Sequence, residues 1–79
     1  MYYVYVLKLA GSRPYVGSTP DLKTRLEEHR KGESRYTSKF LPFELVAYVC
    51  FANRLTAFRF ERYLKTGSGK AFRKKRFGI

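Results

Sequence analysis

The sequence predicts an α+β fold, on three observations. An aromatic and β-branched run opens the chain and meets a turn, a later run is apolar at almost every position, and two stretches combine helical spacing with capping residues. Tyr2 to Leu9 (YYVYVLKL) carries no breaker and reads as a strand. Gly11 to Pro14 supplies the turn, and Tyr15 to Gly17 is a short second strand paired with the first. The stretch STPDLKTRLEEHRKG reads as a helix, with Ser18 or Thr19 as cap, Pro20 at the first helical position, Asp21 at the positive end and Gly32 as the stop. ESRYTSKFLPF mixes polar, basic and aromatic residues around Pro42 and reads as a loop. Glu44 to Ala52 (ELVAYVCFA) is apolar on both faces and is expected at the centre of the sheet. LTAFRFERYLK is helical with Thr56 as its cap, and the tail starts as a flexible Gly-Ser-Gly before a basic run that forms one more short helix.

A chain of 79 residues cannot be split into two pieces that each bury a core, so residues 1–79 read as one domain. The single cysteine, Cys50, reads as a small buried hydrophobe, which suits a reducing compartment and a cytoplasmic location. No apolar run approaches the roughly 20 residues that cross a bilayer, and no secretory leader is expected. Seventeen Lys and Arg against six Asp and Glu leave a formal net charge of +11. Such an excess repels itself in the folded state, and a polyanionic partner is its usual explanation. Nucleic acid fits better than a membrane surface, because the basic residues are not gathered on one amphipathic helix.

Both helical stretches break the rule that a surface helix turns an apolar stripe inward. From Leu22, a step of about 100° per residue brings Leu26, His29 and Arg25 to within about 60° of one line. The inward side of the first helix therefore carries an arginine and the only histidine. Ordinary readings exist: Arg25 along the rim, paired with Asp21, and His29 as a satisfied residue at the core edge. On the second helix Glu61 borders the stripe of Ala57, Phe60 and Leu64. An ion pair with Lys65 would occupy that carboxylate without explaining why it flanks the buried face.

These residues suit phosphodiester hydrolysis. In-line attack concentrates negative charge on the phosphoryl oxygens, so a catalyst needs a fixed cation, a base for the water and help for the leaving oxygen. Arg25 can be the cation, and Glu61 can hold a single hard divalent ion, Mg²⁺ or Mn²⁺. A two-metal site is not expected: Glu27 and Glu28 point to solvent, and the other carboxylates are scattered. His29 is one candidate base. A tyrosine is another, if nearby positive charge lowers its ordinary pKa of about 10. The cysteine and histidine counts rule out a Cys/His metal site, and no phosphate-binding GxxxxGK[ST] loop is present.

Tyr3-Val4-Tyr5 followed by Tyr15-Val16-Gly17 resembles the paired motif that names the GIY-YIG nuclease superfamily. The resemblance continues through PDLKTRLEEHRKG, Tyr36-Thr37 and the FERYLKTGSGKAF segment, and is greatest to the small branch in which the nuclease domain is nearly the whole protein. It implies a small three-stranded antiparallel sheet flanked by two or three helices, and Mg²⁺-dependent cleavage of DNA. Carried over by position, it makes Tyr5 and Tyr15 the motif tyrosines, one of them acting on the water. Gly17 permits close backbone approach, Arg25 binds the scissile phosphate, His29 assists and Glu61 is the sole protein ligand to the metal. Arg35, Tyr36, Lys39, Lys65, Lys70, Arg73, Lys74, Lys75 and Arg76 are the expected nucleic-acid contacts. Two departures stand out: Tyr3 replaces the first glycine, and Asn53 lies on the wrong side of Glu61 to match an asparagine that some members use. Sequence specificity would then come from a targeting partner or be absent. The competing class is a non-catalytic, basic nucleic-acid-binding module, in which the tyrosines pack or stack on bases.

Overall fold

The computed structural model describes residues 1–79. Strand β1 (Tyr2–Leu9) runs through a 3-10 turn at Ala10–Ser12 into β2 (Arg13–Thr19). Helix α1 (Leu22–Arg30), a second 3-10 turn (Thr37–Phe40), β3 (Glu44–Phe51), α2 (Arg54–Leu64) and α3 (Gly67–Phe77) follow. The strands form one antiparallel sheet in the order β2-β1-β3. The predicted α+β class, three-stranded sheet and flanking helices are all present.

The central strand is β1, not β3. Val4, Tyr5, Val6, Leu7 and Leu9 of β1 are buried, whereas Tyr48 and Cys50 of β3 are exposed. An uninterrupted apolar run suggested burial on both faces, but β3 bonds to a neighbour on one side only and keeps a free edge. Cys50 is correspondingly not a core residue. Successive side chains of a strand point to opposite faces, and β1 uses this to build two cores. Tyr5, Leu7 and Leu9 pack with Leu26 of α1, while Val4 and Val6 pack with Val16 of β2 and with Ala57 and Leu64 of α2. The sheet is thus covered by α1 on one face and by α2 and α3 on the other.

The caps differ from the predicted ones. Asp21, rather than Ser18 or Thr19, caps α1 by accepting from the Thr24 backbone N–H at 3.1 Å, and Pro20 lies outside the helix. Asn53, rather than Thr56, caps α2 by accepting from the N–H groups of Leu55 and Thr56. In each helix the hydroxyl residue lost to a neighbour able to reach the second or third N–H. Gly32 follows α1 at φ +76°, in the left-handed conformation expected of a helix stop. The hairpin turn is earlier than predicted, with Gly11 and Ser12 at positive φ, and Pro14 sits inside β2, where an edge strand tolerates it. The Gly-Ser-Gly segment is the first turn of α3, capped by Thr66, and not a flexible link. At buried Gly69 an added Cβ would overlap the backbone carbonyl of Tyr63, so glycine lets α3 lie directly on the end of α2. No helix is long and apolar enough to cross a membrane.

Candidate active site at the β2 edge

The two halves of the candidate site belong to opposite faces of the sheet. Tyr5 of β1 faces α1, and its hydroxyl shares a 2.9 Å hydrogen bond with Nε2 of His29. His29 Nδ1 in turn shares a 2.8 Å bond with Oγ1 of Thr37, so both ring nitrogens are partnered. His29 and Thr37 are each 0% exposed and Tyr5 is 1% exposed. Tyr15 completes this half, with its ring centroid 5.4 Å from His29 and 6.3 Å from Tyr5. Burial, then the presence of Tyr15, pushes the Tyr5 phenol up to about 12, against an opposing pull from Arg25. Burial, followed by the nearby positive charge of Arg25, lowers the His29 pKa, so its imidazole is neutral at pH 7.

The other half lies on the α2 face. Val4, Val6 and Val16 face α2, and Ser18 is two residues beyond Val16 on the same side of β2. Its hydroxyl donates to Glu61 Oε1 at 2.6 Å, while Lys65 donates to Oε2 at 2.8 Å. Burial acts to raise the Glu61 pKa, but the bonds from Lys65 and Ser18 together hold it below the usual glutamate value, and the group is ionised.

Gly17 joins the halves. It pairs directly with Tyr5 across the β1–β2 ladder, and an added Cβ would lie 2.5 Å from the Tyr5 hydroxyl oxygen. The bare backbone lets the phenol lie over β2, toward the edge where Ser18 and Glu61 stand. The charges of Arg25 and Glu61 both act on the Tyr5 hydroxyl, in opposite senses. Arg25 is also close enough to Tyr15 for the two to interact. Its guanidinium pairs with Glu28 at 2.9 Å, not with Asp21, whose side chain is engaged in capping. Glu28 is accordingly not a solvent-facing carboxylate without a partner, as its position in the helix had suggested.

Tyr5, Tyr15, Gly17, Arg25, His29 and Glu61 thus converge. Tyr36 also adjoins them, its ring stacked on Tyr15 at 6.0 Å. Lys65, Lys70 and Arg73 line a groove with Tyr15 and Tyr36. Arg35 and Lys39 are exposed around the 3-10 turn. Lys74, Lys75 and Arg76 occupy the last turn of α3, and Lys74 lies beside Lys8 and Ser12, at the hairpin end of the sheet. Three polar partners were not expected at the site: Ser18, read as a helix cap, Thr37, and Glu28, read as facing solvent. Ser18 was legible in principle, because period-two alternation puts it on the face of Val16. Thr37 was not, since its contact depends on the path of the loop.

The family model describing the GIY-YIG catalytic domain matches residues 1–76. A UPF0213 protein of Bacillus pumilus is 40% identical over 70 residues, which is 87% of this chain and 71% of that protein. UPF0213 protein HQ_3675A of Haloquadratum walsbyi is 35% identical over 66 residues, covering 82% and 74%. The solution NMR structure of UPF0213 protein BH0048 from Bacillus halodurans has a TM-score of 0.62 at 31% identity, across 99% of this chain and 88% of that one. The paired tyrosine motif, the three-stranded sheet and the site at its β2 edge all point the same way: the chain belongs to the GIY-YIG family of nuclease domains.

Proposed function

We propose that this protein is a divalent-metal-dependent endonuclease that hydrolyses DNA phosphodiester bonds, with a tyrosine activating the water. The observation that carries the reading is that an ionised carboxylate, Glu61, and a guanidinium, Arg25, both act on the Tyr5 hydroxyl, in a chain of net charge +11. A carboxylate beside a phosphate-binding surface would weaken binding unless a cation stood between them.

The donor set fits one hard cation. No group of three or more His, Cys, Asp or Glu residues could enclose a metal, so Glu61 would hold the ion alone, with water and phosphate oxygens supplying the other ligands, as Mg²⁺ accepts. The Lys65 ammonium, 2.8 Å from Oε2, already marks this oxygen as a position for positive charge. A bound Mg²⁺ polarises the phosphoryl group and stabilises charge on the leaving oxygen.

The other roles follow from the contacts. Arg25 exchanges Glu28 for the scissile phosphate and stabilises its developing charge. Tyr5 remains protonated, because its phenol titrates at about 12, and the neutral His29 ring and Thr37 hold it in place. Tyr15, only partly buried and lining the open groove, is then the tyrosine left to hold and orient the attacking water. Tyr15→Phe should lose about 10²-fold in rate, the cost of a misplaced water, and Tyr5→Phe less. Equal losses would remove this division of labour.

The decisive experiment is Mg²⁺-dependent cleavage of end-labelled single- and double-stranded DNA by wild type and Glu61→Gln, with EDTA as control. Cutting that disappears in both controls is expected. Tight, salt-sensitive binding with no cutting under any condition would establish a non-catalytic nucleic-acid-binding module instead.

A further inference from the structure

Helix α3 repeats the anomaly of the other two helices. Gly69 and Arg73 are one turn apart on its buried face, so a cation stands where an apolar residue is expected. Arg73 is only 6% exposed, and its Nε is buried without any hydrogen-bond partner. The three ion pairs of the protein engage Arg25, Arg30 and Lys65, leaving Arg73 without a carboxylate. A buried donor without a partner costs free energy, and the terminal nitrogens, bonded to no protein group, are open to solvent and to a ligand. The cost is unusual in a chain whose surface is crowded with like charge.

The surroundings indicate what would relieve it. Arg73 lines a groove with Lys65, Lys70, Tyr15 and Tyr36, and no acidic residue takes part in that lining. The groove shares Tyr15 with the candidate active site and borders Glu61 through Lys65. Guanidinium and ammonium groups lining one groove suit the oxygens of a phosphate.

We infer that Arg73 and Lys70 form a second phosphate site, which binds an internucleotide phosphate flanking the scissile one on the Tyr15 side. The inference rests on the nucleic-acid reading above for the identity of its ligand, and gives that substrate a fixed path past α3. Arg73 anchors the phosphate from the buried side and Lys70 closes on it from solvent. The tail residues Lys74, Lys75 and Arg76, being exposed, contribute only diffuse attraction.

The test uses non-cutting Glu61→Gln protein and short DNA oligonucleotides in which one phosphate at a time is replaced by a neutral methylphosphonate. One replacement position should weaken binding about tenfold, as expected for a charge-assisted hydrogen bond. Arg73→Gln or Lys70→Ala added to Glu61→Gln should bind more weakly and no longer distinguish that position. Lys70 is exposed, so Lys70→Ala reads the site even if Arg73→Gln impairs folding. In ¹⁵N spectra, inorganic phosphate should shift the Arg73 Nε–H signal, and Lys70→Ala should reduce the response. A flat methylphosphonate profile, or the same sensitive position in Lys70→Ala as in its parent, overturns the inference. Wild-type protein that never cuts DNA yet keeps the position-dependent profile would sink the nuclease reading and leave this site standing.

Discussion

The two faces of the sheet are built on different physical principles. On the α1 face, polar groups are buried and saturated: the Tyr5–His29–Thr37 chain leaves neither imidazole nitrogen unpartnered, and no member is more than 1% exposed. On the α2 and α3 face, the charges are incompletely paired, with half-buried Glu61 held by one serine and one exposed lysine, and no protein group bonded to buried Arg73. A saturated buried network is rigid, and breaking it is expensive. A partly satisfied charged surface can exchange its present partners for a substrate. The contrast suggests a division of labour, in which α1 supplies a fixed tyrosine and α2 and α3 supply replaceable charges.

Substitutions on the α1 side should therefore cost stability first. His29→Ala removes a fully buried ring and leaves Tyr5 and Thr37 unpaired, an expected loss of about 3–5 kcal/mol in denaturant unfolding. A loss below about 1 kcal/mol would mean that the network is not saturated. Gly17→Ala should cost about 1–3 kcal/mol through overpacking against Tyr5, and should also displace the phenol from the β2 edge. If its stability and activity are unchanged, the two halves do not meet through Gly17.

Acid should act on the same network. Because folding depresses the His29 pKa, the unfolded chain binds more protons near its ordinary value of about 6.5. Stability is then fully present above that pH and falls as pH drops below it. Thermal melts from pH 7.5 to 5 should show this decline in wild type and a smaller one in His29→Gln. Glu61, also depressed, adds a further loss at lower pH, as its carboxylate takes up a proton. The smallest effect is expected on the opposite face. Lys65→Ala removes an exposed i,i+4 ion pair, and should change stability by only about 0.3–0.5 kcal/mol. It should tighten Mn²⁺ binding by freeing one oxygen of Glu61, which a titration with and without Glu61→Gln would reveal.

Much of the architecture was legible because it depends on local chemistry. The breaker-free run of β1, the capped stretch ending at Gly32 and the inward positions of His29 and Glu61 are consequences of residue type and helical or strand period. The places where local reading failed are those where a distant neighbour decides. Whether β1 or β3 lies at the centre depends on which strand is bonded on both sides, and an apolar run cannot report that. The caps are a local exception: Asp21 and Asn53 displaced the expected residues by reaching the second or third N–H of each helix themselves. Gly67 to Gly69 looked like a flexible link because glycine is permissive, yet Gly69 is needed for close contact between α2 and α3.

The sequence by itself determined the classes of residue available for chemistry: a strongly basic chain, paired tyrosines, and an arginine, a histidine and a carboxylate on helix faces that ought to be apolar. Only the tertiary structure decided how they are used. Tyr5 and Glu61 start on opposite faces of the sheet, and the period of a strand would keep them apart. They approach each other because Gly17, the one residue of β2 without a side chain, lets the Tyr5 phenol lie across the edge strand. Burial then settles which groups hold their protons, since desolvation keeps Tyr5 and His29 neutral while hydrogen bonds from Lys65 and Ser18 keep Glu61 charged.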